Sequence, residues 1–308
     1  MLSLDDIERQ LLQDVADING IPAGAYNFRV NGKSIGRHST ANIDISPKTG
    51  RHSGIDINIK SGTKGEVIHI PVIISASGLK EAVYNDFFIG DNVNVTIVAG
   101  CGIYNCGADN SIHDGIHSFH VGKNSHISYI EKHYGTGPGA QKILNPTTRL
   151  FLAKNSTAEL LLEQIKGVDS THRHTEAELA ENAHIVIKER LFTHGRQNAV
   201  SDIVVTLRED AASADIVSRA VAQDHSIQNF SSHIIGAANC RGHSECDAII
   251  MDHAQVTATP ALDAQSVNAT LIHEAAIGKI ANEQLTKLMT LGLTRRQAES
   301  QIINGFLK

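Results

Sequence analysis

Cys246, His273 and Glu274 bring a thiol, an imidazole and a carboxylate to the last quarter of a 308-residue chain. Together these ligand types suit iron, zinc and related ions, and thiolate is the natural ligand of an iron-sulfur cluster. His273 and Glu274 follow Cys246 by 27 and 28 residues, inside "ATLIHEAAIGKI", a segment otherwise made of small, apolar or structural residues. Four cysteines in one set would hold a cluster permanently. One cysteine supplemented by His and Glu would hold it weakly enough to pass on. The ordinary alternative is a buried thiol that only packs, the commonest fate of a lone cysteine.

The remaining cysteines, Cys101, Cys106 and Cys240, are weaker ligand candidates, because their spacings are C-x4-C and C-x5-C rather than the C-x-x-C of zinc and redox sites. The first residues, "MLSLDDIERQLLQDVADI", carry acids and no basic stretch, and no apolar run approaches the roughly 20 residues of a membrane helix. The expectation is a cytoplasmic protein with reduced thiols. Two histidine clusters, "THRHTE" (171 to 176) and "SIHDGIHSFH" with His113, Asp114, His117 and His120, read as solvated polar positions. No regular helix supports an i, i+4 zinc site there.

The elements that would position these residues are strands. From about residue 55 to 270 the chain repeats itself loosely in "FFIGDNVNVTIVAG", "FHVGKNSHISYIEK", "LFLAKNSTAELLLE", "AELAENAHIVIKER" and "VTLREDAASADIVS". Each copy is a strand-like run, a turn of small and polar residues, and a second alternating strand. The turns at Gly90, Gly122, Ala153, Ala180 and Arg208 lie 32, 31, 27 and 28 residues apart. Period two inside each copy and a near-constant spacing between copies predict a mainly β fold, a parallel β-helix whose coils stack their apolar faces. An antiparallel sandwich of the same strands is the alternative topology. If the period is one coil, Cys246 and the His-Glu pair occupy neighbouring rungs roughly 4.8 Å apart. Alternation then lets only one of His273 and Glu274 share a face with Cys246.

At the ends, helical spacing of Leu4, Ile7, Leu11, Leu12 and Val15 predicts an opening helix, and Asn31-Gly32 predicts a hairpin, so residues 1–50 form a cap. Residues 51–275 form the β-helix core. Residues 276–308 form a helix pair: one face is Leu285, Leu288 and Met289 up to Gly292, and the second helix, capped by Thr294 and Gln297, carries Ala298, Ile302 and Ile303. That stripe either packs on its own domain or docks on a partner.

Formal net charge is −6 with a pI near 6.3, so the chain has no basic face to attract nucleic acid. No P-loop, G-x-G-x-x-G or G-x-S-x-G motif is present, so any ATP chemistry belongs to another subunit. A β-helix enzyme acting on polysaccharides would need paired carboxylates on an open groove. The acids Asp91, Glu181 and Asp210 instead fall at repeat corners.

Residues 245 to 306 resemble the core of the SufB/SufD family, scaffold proteins of the Suf iron-sulfur cluster assembly machinery. The resemblance rests on Cys246-Asp247, "TATP" ending in Thr259-Pro260, the His-Glu-Ala at 273 to 275, "IGKI", "EQL" and the closing "INGF". It continues more weakly through the repeats to about residue 50. It implies a right-handed parallel β-helix and a non-enzymatic scaffold that carries a transient iron-sulfur cluster and works with the ABC-type ATPase SufC. Cys246 then takes the position of the SufB assembly cysteine, with His273 and Glu274 as its His-Glu pair. Residues 282 to 306, through Leu285, Leu288, Met289, Ile302 and Ile303, are implied to dock on the ATPase. The chain is shorter than typical SufB and looks like the compact members that pair with themselves, a homodimer through the β-helix. SufD, an architectural subunit without its own cluster, is the second role the family implies.

Overall fold

The computed structural model describes residues 4–308. Helix α1, Asp6–Ala16, starts at a capping box: Asp5 Oδ1 accepts from the Glu8 amide at 2.8 Å and Glu8 Oε2 accepts from the Asp5 amide at 3.1 Å. Leu11, Leu12 and Val15 are buried against Phe28, Val30 and Ile73. Ile7 stays on the rim, 39% exposed, so the buried stripe is narrower than the spacing suggested. The hairpin follows as expected: Val30 pairs with Lys33, and Asn31 and Gly32 take φ of 48° and 79°, the two positive values a tight two-residue turn needs. Its first strand, Ala25–Val30, also pairs in parallel with Lys64–Ile74, so the hairpin continues a sheet of the core.

The core is a β-solenoid of about eight turns, built from two ten-stranded sheets. One sheet ends on Thr270–Gly278 and the other on Gln255–Ala264, and the last turns pair in parallel without a register shift. The near-constant repeat has a visible cause at one corner. Asn92, Asn124, Asn155 and Asn182 each adopt φ between 55° and 60°, a left-handed turn conformation that asparagine tolerates better than branched residues. Their side chains form a ladder: Asn124 Nδ2 donates to Asn92 Oδ1 at 3.4 Å, Asn155 to Asn124 at 2.9 Å and Asn182 to Asn155 at 3.0 Å. The corner acids are also committed to neighbouring turns. Asp91 Oδ1 accepts from the Lys123 amide, Asp210 Oδ1 from the Asn239 amide, and Glu181 Oε2 from Lys154 Nζ.

Inside, β-branched and small apolar residues stack rung on rung, with Phe87 and Phe119 rings parallel at 4.2 Å. This alternation corrects one expectation. In Ser111–Val121 the odd residues face inward, so His113 and His117 are buried at 5% and 9% exposure rather than solvated. His120 does face out, stacked between Phe88 and Phe151. In "THRHTE" Arg173 points in, while His172 and His174 point out and His172 Nε2 lies 2.8 Å from Asp202 Oδ2.

Helices α2, Asn282–Thr290, and α3, Arg295–Phe306, close the described chain, with a capping box at Thr294 and Gln297. Their apolar stripe lands on outward residues of the solenoid: Leu285 and Ile303 are buried in a cluster with Val221, and Leu288 and Ile302 pack beside them with Ile249. Leu285 and Ile303, expected to meet a partner, are therefore consumed by the chain's own core, because Val221 and Ile249 give them an apolar surface to land on. Met289, 44% exposed, remains available, and so does Leu291 at 75%. No helix among the described residues is long and apolar enough to cross a membrane.

Candidate functional site

Cys246 lies on Arg241–Ile250, where even-numbered residues face the interior, and its side chain is almost fully buried. Its rung neighbours are Ser218 on one side and Ala275 on the other. The next strand places His273 beside Ser244 and Glu274 beside Glu245. His273 therefore turns inward with Cys246, one rung over and two residues along, a diagonal of roughly 7–8 Å between backbone positions. Its Nδ1 lies 3.2 Å from the Ser244 carbonyl, which accepts from it and leaves Nε2 free as a ligand atom. Glu274 turns to the outer wall, 69% exposed, with Oε2 4.0 Å from His243 Nε2. Alternation thus selects His273 over Glu274 as the partner of Cys246.

Burial, then the charges of Glu189 and Asp247, push the Cys246 thiol up to about 12. At neutral pH it is protonated, and a metal would have to displace that proton to bind it as a thiolate. Glu189 sits two rungs away on the same inward line and accepts from Ser218 Oγ at 2.9 Å and Ser201 Oγ at 2.6 Å.

Glu189 is one end of a buried ionisable chain that sequence reasoning did not single out. Arg173, 4% exposed, approaches Glu189 Oε1 to 3.6 Å and donates to Glu131 Oε1 at 2.5 Å. Tyr129 donates to Glu131 Oε2 at 2.5 Å, His133 Nε2 lies 3.4 Å from Glu131 Oε1, and His117 Nδ1 is 2.7 Å from the Tyr129 hydroxyl. Burial pushes Glu131 up, but Arg173 and then the two histidines outweigh it and hold the carboxyl well below its usual range. Burial takes His117 down to about 4 and His133 to about 3. The available sequence signal was parity: Glu131 is in phase with Ile127 and Tyr129, which point in. A cavity of about 20 Å³, room for one water, lies among Cys101, His113, His117, Glu131 and His133.

The other cysteines are not brought to Cys246. Cys101 is buried five rungs away, roughly 24 Å at the usual strand spacing. Burial, with Glu81 and Glu131, pushes its thiol well up. Cys106 is exposed at a corner, its Sγ 3.6 Å from Ser77 Oγ, and Cys240 is buried at the corner that precedes the Cys246 strand. Among the described residues no three His, Cys, Asp or Glu side chains converge to hold one ion. One chain offers Cys246 and His273 as inward ligands, at the open end of the solenoid. The edge strands there also expose Leu262, Ile272 and Ile277.

Residues 77–306 match the model of the SufBD core domain of the SUF system for FeS cluster assembly. Similar proteins include an iron-sulfur cluster assembly SufBD family protein of Methanothermobacter thermautotrophicus, 28% identical over 279 residues, 87% of this chain and 65% of the relative. A SufBD family protein of Pyrococcus horikoshii is 31% identical over 243 residues, covering 76% of this chain and 71% of its own length. One of Archaeoglobus fulgidus is 30% identical over 237 residues, covering 74% and 61%. The chain thus spans about two thirds of the length of the relatives it matches.

Proposed function

Because the chain belongs to the SufBD family of iron-sulfur cluster assembly proteins, we propose that it is a non-enzymatic scaffold that holds a nascent cluster at Cys246 and passes it on. The observation that supports this most directly is the shared inward face of Cys246 and His273 on the last two rungs of their sheet, beside an unpaired edge. The cluster is cargo. Cys246 supplies the thiolate once its proton is displaced, and Nε2 of His273 supplies a weaker, exchangeable ligand. The remaining ligands come from a second copy of the chain, paired through the edge strands where Ile272 and Leu262 are exposed. Glu274, on the outer wall, faces away from Cys246 and is not its co-ligand within one chain.

Anaerobic reconstitution with iron and sulfide tests this reading. Cys246→Ala is expected to lose nearly all bound cluster, His273→Ala several-fold, and Glu274→Ala least. Equal cluster content in wild type and Cys246→Ala would remove Cys246 from the role and leave the architectural, SufD-like reading. That reading draws on the high thiol pKa and on the absence of a third convergent ligand among the described residues.

A SufC-like ABC ATPase is the proposed partner of the helix pair, meeting it at Met289 and Leu291 because Leu285 and Ile303 are buried and Leu288 and Ile302 partly so. Leu291→Asp is expected to weaken capture of such an ATPase at least tenfold while leaving cluster content and melting temperature unchanged. Undiminished capture by the double variant Met289→Asp, Leu291→Asp would place the dock elsewhere. The proposed location is the cytoplasm.

A further inference from the structure

The outer wall behind the Cys246 strand carries its own row of metal-type ligands. His184, Asp215 and His243 sit on three consecutive rungs, Asp215 directly opposite His243 and diagonal to His184. They line a groove of about 390 Å³. The two imidazoles approach the carboxylate from either side, one at each oxygen: His184 Nε2 is 4.0 Å from Asp215 Oδ2, and His243 Nδ1 is 3.7 Å from Asp215 Oδ1. Both gaps are too long for hydrogen bonds, yet an ion with bonds of roughly 2.1 Å can span each.

The far nitrogen of His184 is hydrogen-bonded, and that of His243 faces a second carboxylate. His184 Nδ1 lies 2.8 Å from Ser213 Oγ, and His243 Nε2 faces Glu274 Oε2 at 4.0 Å. Holding the Nδ1 of His184 on the Ser213 hydroxyl while its Nε2 faces the shared carboxylate is how proteins orient an imidazole ligand to a metal.

We propose that His184, Asp215 and His243 bind one divalent first-row transition ion, with Ser213 and Glu274 orienting the two imidazoles. In the resting rotamers the three donors do not converge. Their side chains are 35%, 50% and 31% exposed, so an ion can draw them together by side-chain rotation without moving the strands. Two imidazoles and a carboxylate leave open coordination positions and suit ferrous iron or zinc rather than magnesium or calcium. Arg241 lines the same groove, so those positions would take water or a small anion. The site faces away from Cys246 and does not depend on cluster binding there.

The test uses the full-length, tag-free protein carrying Cys246→Ala, which removes the interior thiolate. Anaerobic equilibrium dialysis against Fe(II), with Co(II) absorption as a second readout, should find one ion per chain. Adding Asp215→Asn or His243→Gln should weaken binding at least tenfold, and Glu274→Gln several-fold, with unchanged circular dichroism. No ion bound by the Cys246→Ala protein would overturn the proposal, as would equal affinity in the Asp215→Asn and His243→Gln variants. Cluster reconstitution reads a different site, so failure there leaves this result standing.

Discussion

Replacing Arg173 with methionine is expected to cost about 3–5 kcal/mol of stability, the usual penalty for removing one partner of a buried charge pair. Arg173 is the one guanidinium that reaches both Glu131 and Glu189, and all three side chains are at most 5% exposed. Methionine fills much of the volume but leaves two carboxylates in a low-dielectric interior. They keep only neutral donors, Tyr129 for Glu131 and the serines 201 and 218 for Glu189. One or both would take up a proton, so the loss should shrink as the pH is lowered. The double variant Arg173→Met, Glu131→Gln removes one stranded charge and should recover part of the stability. Urea unfolding at pH 7.5 decides the matter. A loss below about 1 kcal/mol for Arg173→Met would mean that the interior is wet enough to solvate both carboxylates.

The solenoid was legible because its corners are chemically fixed. Asparagine takes the left-handed position at four consecutive corners, and its amide ladder ties each of these to the one before. The strands between corners alternate cleanly wherever the inward residues are apolar, as in the turn from Ala177 to Ile187. The polar interior was hidden for the complementary reason. His113, His117, Glu131 and Arg173 occupy inward positions with residue types that normally mark the outside, so polarity alone placed the first two in solvent. Their proximity depends on register across strands of different turns, which no local pattern encodes.

The candidate site was legible to within one choice. Sequence spacing put His273 and Glu274 one coil beyond Cys246, and strand pairing decides between them, since Ser244 beside His273 has the same parity as Cys246. The helix stripe was ambiguous in kind rather than in place. Leu285 and Ile303 had to bury somewhere, and only the outward residues Val221 and Ile249 of the solenoid determine that they bury at home.

Acid should unfold this protein from an unusually high pH, and the buried histidines set where the loss begins. His117 and His133 titrate near 4 and near 3 in the folded chain and near 6.5 when unfolded. Well above pH 6.5 neither state binds these protons, and the two sites contribute no slope. Below it the unfolded chain takes up two protons that the folded chain refuses, so stability falls as pH falls. Each site loses at most about 1.4 kcal/mol per pH unit, giving on the order of 2–4 kcal/mol by pH 5. Glu131 adds a second stage. Its folded value lies far below its unfolded one of roughly 4.3, so its contribution is intact above that pH and is lost on further acidification. Burial is the main cause that holds the two histidines neutral, and Arg173, whose Nη2 lies 3.3 Å from His133 Nδ1, adds to it against the opposing pull of Glu131. Urea midpoints at pH 7.5, 6.5, 5.5 and 5.0 should therefore fall slightly over the first interval and more steeply per pH unit over the next two. His117→Gln, which cannot titrate, should show a smaller drop between 6.5 and 5.0 even if its stability at pH 7.5 is lower. A wild-type midpoint that stays constant down to pH 5 would mean that protons reach His117 and His133 in the folded solenoid without cost.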